Sequence, residues 1–68
     1  MEIHERIRAA RIEKKITQEK LAAMLKTSQS LIWRYEQGSV QMTLPVFKNW
    51  CEVLNVSADE VLELKIQK

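Results

Sequence analysis

Scarcity narrows this 68-residue sequence first: it contains one cysteine, one glycine and one proline. A lone Cys51 closes no internal disulfide, and no Cys/His set has metal-ligand spacing. That excludes a disulfide-stapled secreted domain and a zinc-stapled fold, and it fits a reducing cytoplasm. So few turn formers argue against a sandwich or barrel, which needs a turn signal roughly every ten residues. No apolar run approaches the roughly 18 residues that span a bilayer, and Met1 to Lys15 mixes charges of both signs instead of forming a signal peptide. The chain therefore reads as soluble, unexported and without a membrane partner. No nucleophile with a base, phosphate loop or paired carboxylates can be assembled, so the expectation is no enzyme activity, no cofactor, no metal and no small-molecule ligand.

What is present is helical. Hydrophobic residues make up 46% of the sequence, enough to exclude disorder, and 68 residues make one domain spanning 1–68. Ile3, Ile7 and Ala10 recur at helical spacing, predicting a first helix from about Glu2 to Lys15. Thr17 is a candidate N-cap for a second helix whose apolar stripe is Leu21, Ala22 and Leu25. Ser28 can cap a third helix running to about Gln37, where Gly38 supplies the left-handed residue that closes it. Thr43 can cap a fourth, with Pro45 tolerated in its first turn. Leu44, Phe47, Cys51 and Leu54 give that helix one apolar face, and Val46, Trp50 and Val53 form a second stripe beside it; the helix is either central to the core, where Trp50 is first expected, or shared with a partner through this stripe as a candidate dimer interface. Ser57 with Glu60 has the spacing of a capping box for a short fifth helix, and the tail 65–68 is expected to fray.

Charge is uneven along this frame. Residues 1–38 carry eight Lys and Arg against five Glu, a net of +3, whereas the remainder is slightly acidic. A basic N-terminal half suits a polyanion, although a mixed solvated surface also accounts for the charges. The third helix is more specific. Stepping about 100° per residue places Leu31, Ile32 and Tyr35 on one side with Ser28, and Gln29, Ser30, Trp33, Arg34 and Gln37 on the opposite arc. Gln pairs in bidentate fashion with adenine, Arg with guanine, and Ser bonds either base, so the arc has the chemistry of base reading. Each residue alone reads as an ordinary solvent-facing side chain; their grouping directly after a tight turn favours readout. Thr17, Gln18, Thr27 and Thr43 fall at predicted helix starts, where hydroxyls and free N–H groups hold phosphate oxygens, or simply cap. Trp33 has three readings: packing against a loop, contact with a thymine methyl, or contact with a protein.

The stretch "IRAARIEKKITQEKLAAMLKTSQSLIWRYEQG" resembles the helix-turn-helix of the phage repressor and Cro family, also called XRE-like regulators, and "LNVSADEVL" is similar to that family's last helix. Ile7 and Arg11, Thr17-Gln18 before Leu21-Ala22, Ile32, and Glu36 two residues ahead of Gly38 carry the resemblance. It implies an all-α, five-helix, lambda-repressor-like domain with the helix-turn-helix at about 17–37, a homodimer on an inverted-repeat operator in double-stranded DNA. It also implies a cytoplasmic, nucleoid-associated transcriptional regulator of a bacterium or phage, a repressor in the first instance. Carried over by position, Gln29, Ser30 and Arg34 are base-reading residues, with Trp33 beside them. Gln18 and Thr27 are phosphate or edge contacts, to which Thr17, Gln37 and Thr43 are added from their places in the helices. Arg11 and Glu36 match a structural ion pair between the first and third helices. Lys26 departs from the pattern, standing where the turn usually has Gly, and "SVQMT" after Gly38 lacks the usual basic residues. These departures and Trp33 support an alternative, a protein-interaction module of antitoxin or antirepressor type that uses the Trp33 face.

Overall fold

The computed structural model describes residues 2–62. Five helices follow in order: α1 (Ile3–Glu13), α2 (Gln18–Leu25), α3 (Gln29–Gln37), α4 (Leu44–Leu54) and α5 (Ala58–Leu62), with no strand among the described residues. The architecture is the expected all-α, five-helix one. The tail 65–68, expected to fray, lies outside the described residues. No helix there is long and apolar enough to cross a membrane.

Caps set the boundaries. Thr17 Oγ1 accepts from Lys20 N–H at 3.0 Å, Ser28 Oγ from Leu31 N–H at 3.1 Å, and Thr43 Oγ1 from Val46 N–H at 3.4 Å. Each hydroxyl satisfies a donor that has no partner inside its helix. α1 is shorter at both ends than its apolar spacing suggests. Glu2 is its N-cap, with its N–H donating to Glu5 Oε1 at 3.0 Å, and Lys14 leaves helical geometry before Lys15 turns left-handed at φ 59°. Among the described residues the two side-chain-to-backbone bonds of the capping box expected of Ser57 and Glu60 do not form; the Ser57 carbonyl accepts the first helical bond, from Val61 N–H at 3.1 Å.

The core is one cluster. Ile7 and Ala10 of α1, Leu21 and Ala22 of α2, Ile32 of α3, and Phe47, Trp50, Cys51 and Leu54 of α4 are all buried. On α4 the buried positions repeat at three- and four-residue intervals, the stripe that turns one side of a helix inward. Ala10 and Ala22 are small, which lets neighbouring backbones come close where α1, α2 and α3 meet. The Tyr35 and Trp50 rings meet edge to face, centroids 6.1 Å apart. Trp50 Nε1 is buried with no hydrogen-bond partner among the described residues. Burial also raises the Cys51 thiol above its ordinary value of 9.0, because the thiolate would have to leave water.

The second stripe of α4 and two further side chains take definite places. Trp50, read first as a core residue and otherwise as the centre of a dimer stripe with Val46 and Val53, takes the core place: it is only 1% exposed, leaving Val46 and Val53 half-buried at its edges. Leu44, read as part of the inward face of α4, is 77% exposed. It opens the helix, one turn before the buried stripe begins at Phe47, and no neighbouring element reaches far enough to cover it. His4 of α1 is half-buried beside Gly38, where a Cβ on the glycine would come within 3.0 Å of its Nδ1. Gly38 is thus required twice: by its φ of 79° and by the imidazole pressed against it.

Candidate nucleic-acid interface

α2 and α3 are separated by Lys26, Thr27 and Ser28 alone. The chain reverses through Lys26, which takes the left-handed conformation (φ 58°, ψ 48°) despite carrying a side chain. Of the two outcomes open to a turn that lacks glycine, strain or a different shape, the molecule adopts strain. Thr27 N–H donates to Ala22 O at 2.9 Å and Lys26 N–H to Ala23 O at 3.2 Å, so two of the last carbonyls of α2 are satisfied across the bend. Ser28 caps α3 immediately afterwards.

α3 presents two unlike faces. Ile32 and Glu36 are buried on the inner one, and Leu31 and Tyr35 flank them half-buried. Gln29, Ser30, Trp33, Arg34 and Gln37 are all exposed on the outer one. Trp33 is 51% exposed, so loop packing covers no more than half of it.

The inner face is held by charge as well as by apolar contact. Arg11 Nε donates to Glu36 Oε2 at 2.7 Å and Arg11 Nη2 to Glu36 Oε1 at 3.0 Å, a fork-to-fork pair in which the Glu36 carboxylate is fully covered. Arg11 Nη1 donates to the Ile16 carbonyl at 2.8 Å, which ties down the connection between α1 and α2. Gln18 Nε2, at the first position of α2, donates to Glu36 Oε1 at 3.0 Å. One carboxylate therefore fixes three elements, because an ionised Glu accepts several hydrogen bonds in different directions.

A family model described as a helix-turn-helix domain matches residues 4–65. The chain belongs to that family. No curated protein matches it.

In this helix-turn-helix domain the side chains expected at a DNA surface occupy three places. Gln29, Ser30, Trp33, Arg34 and Gln37 share the outer arc of α3. Thr17 and Gln18 stand at the start of α2, joined to α3 through the Gln18–Glu36 bond, whereas exposed Thr27 lies past the other end of α2, in the turn that leads into the α3 arc. The Thr17 hydroxyl accepts a cap bond, so its own proton stays available to donate outward, for instance to a phosphate oxygen. Thr43 is apart, capping α4 and lining a groove with Ile3, His4 and Gly38 past the end of α3. Reading the sequence could find Gln18 from its place at a helix start. It could not find that Glu36 holds the Gln18 amide, because the two are eighteen residues apart and meet only when α2 packs on α3.

Proposed function

We propose that this helix-turn-helix domain binds double-stranded DNA sequence-specifically and acts as a transcriptional repressor of the phage repressor and Cro type. α3 enters the major groove, where Gln29, Ser30 and Arg34 read base edges and Trp33 makes apolar contact beside them. Thr17, Gln18, Thr27, Gln37 and Thr43 contact phosphate or the edge of the site. Two copies occupy an inverted repeat whose half-sites are about 34 Å apart, one helical turn of DNA.

The observation that supports this reading best is the contrast on α3. An exposed arc, polar apart from Trp33, projects from a helix whose other side is anchored by a buried, bidentate ion pair. Base readout needs side chains free to reach and a backbone that does not move, and the arrangement provides both. The test is selection from a random duplex pool at about physiological salt, where weak non-specific binding is largely screened. Enrichment of a dyad-symmetric site is the expected result; binding without any motif, at low salt only, overturns it.

A second reading draws on Trp33. An aromatic side chain half exposed in the middle of the arc suits a protein hot spot, which would make the domain an interaction module. Under that reading Trp33→Ala abolishes capture of a protein partner and leaves DNA binding unchanged.

A further inference from the structure

Past the end of α3 lies a groove of about 650 Å³. Four segments contribute to its wall: the start of α1, the last turn of α3, residues 38–43 and the start of α4. Buried Ile7 and Phe47 line it together with half-buried Val40 and Met42. Ile3 and Leu44 stand on it as well, although both are exposed, so an occupant would take apolar surface of α1 and of α4 out of water at once. With Phe47, the side chains of His4 and Tyr35 bring three aromatic rings to one cavity.

The chemistry of the lining selects what could sit there. No Asp, Glu, Lys or Arg lines the groove, so a charged ligand would find no counter-charge in it. Donors are present. Among the described residues the backbone N–H groups of Val40 and Met42 and the imidazole of His4 make no hydrogen bond, which leaves them free for an acceptor. Size selects too. An α-helix with its side chains, about 10–12 Å across, would use up such a volume in under two turns, whereas small-molecule sites run from about 300 to 1,000 Å³.

We propose that this groove binds a small, uncharged aromatic molecule that carries a hydrogen-bond acceptor. Its rings pack against those of His4, Tyr35 and Phe47, and its acceptor takes the N–H groups of Val40 and Met42. Such a ligand touches Tyr35 and Gly38, the last turn of α3 and its cap, so its occupancy bears on the helix whose opposite side carries Arg34 and Gln37. The expectation of no small-molecule ligand came from the lack of a reactive set of side chains. A cavity assembled from four segments leaves no mark in their spacing.

Binding is measured on the full chain without DNA, so it stands or falls apart from the function proposed above. The probe is prodan, a neutral two-ring aromatic ketone whose emission moves to the blue when it leaves water. Saturable binding with a Kd below about 200 µM is expected for a molecule of this size. Ile3→Trp fills the mouth of the groove from an exposed position and should raise that Kd by roughly five-fold or more, with a circular dichroism melt to check that it folds. Trp33→Ala, on an exposed patch elsewhere, should leave it within about two-fold. Amide shifts on adding prodan to labelled wild type should concentrate on His4 and Gly38–Met42. The proposal is overturned by the absence of saturation up to about 1 mM, by an Ile3→Trp variant that is folded and binds as tightly as the parent, or by shifts that gather on other residues. It is also overturned if the groove amides shift with protein concentration alone, since the occupant would then be a second copy of the chain.

Discussion

The two faces of α3 are built on opposite principles from a single nine-residue helix. The inner face buries Ile32 completely and commits Glu36 to Arg11, Gln18 and the packing of α1 and α2. The outer face leaves Gln29, Ser30, Arg34 and Gln37 exposed and, among the described residues, without a side-chain hydrogen bond or ion pair, with half-exposed Trp33 among them. Residues that hold the fold are thereby separated from residues free to vary with a target. The same backbone can then carry different outer side chains without loss of stability. It follows that substitutions on the two faces should affect different measurements.

The largest effect is expected from Glu36→Ala. It strands the Arg11 guanidinium in the interior with only the Ile16 carbonyl as partner, and should cost about 3–5 kcal/mol in urea unfolding. That is a large share of the roughly 3–10 kcal/mol a domain of this length has. Replacing both partners, Arg11→Met with Glu36→Leu, should recover most of the loss, because no charge is left buried and unpaired. The double variant also releases Gln18, so it should fold yet bind a selected DNA site more weakly. A double variant as unstable as Glu36→Ala would show that the pair contributes shape that apolar residues cannot supply.

Arg34→Ala should do the reverse. Unfolding free energy should stay within about 0.5 kcal/mol of the parent, while affinity for the selected site falls by about 1–3 kcal/mol and discrimination at one base pair relaxes. An equal loss on all sequences would make Arg34 a phosphate anchor and blur the division between the faces.

Lys26 joins the two faces, since its backbone aims α3. Lys26→Gly removes a side chain from a left-handed position and should raise stability by about 0.5–1 kcal/mol, read as a higher urea midpoint. No gain would mean that the bend is set entirely by the carbonyls of Ala22 and Ala23.

The smallest effect concerns Cys51, buried on α4 in the core. Its folded thiol ionises above the ordinary value of 9.0, so the stabilising contribution is complete below pH 9. It is lost as pH rises from 9 toward the folded value, where the unfolded chain ionises first. Urea unfolding at pH 7 and pH 10 should show a larger alkaline loss for the parent than for Cys51→Ala.

The helix boundaries were legible where a local device sets them. Thr17, Ser28 and Thr43 cap through bonds spanning three residues, and Gly38 closes α3 through its own φ, so neighbouring residues suffice to place them. α1 was overextended because apolar spacing says where a helix can continue and not where Lys15 will turn out of it. The outer arc of α3 was legible as a grouping, since helical geometry fixes which residues share a side. Which side would be buried also followed, because the apolar residues lie opposite.

The sequence by itself determined five helices, a tight turn after Leu25 and a polar arc on the third helix, because each depends on spacing, capping and backbone freedom within a few residues. Only the tertiary structure decided which apolar residues the core would use. Trp50 went inward and Leu44 stayed outside, although both sit on apolar stripes of α4, since burial depends on what another helix brings to that point in space. The same holds for Gly38 beneath His4 and for Gln18 on Glu36. Periodicity identifies a face, but the position of the neighbouring helix determines whether that face is covered, gripped or left open.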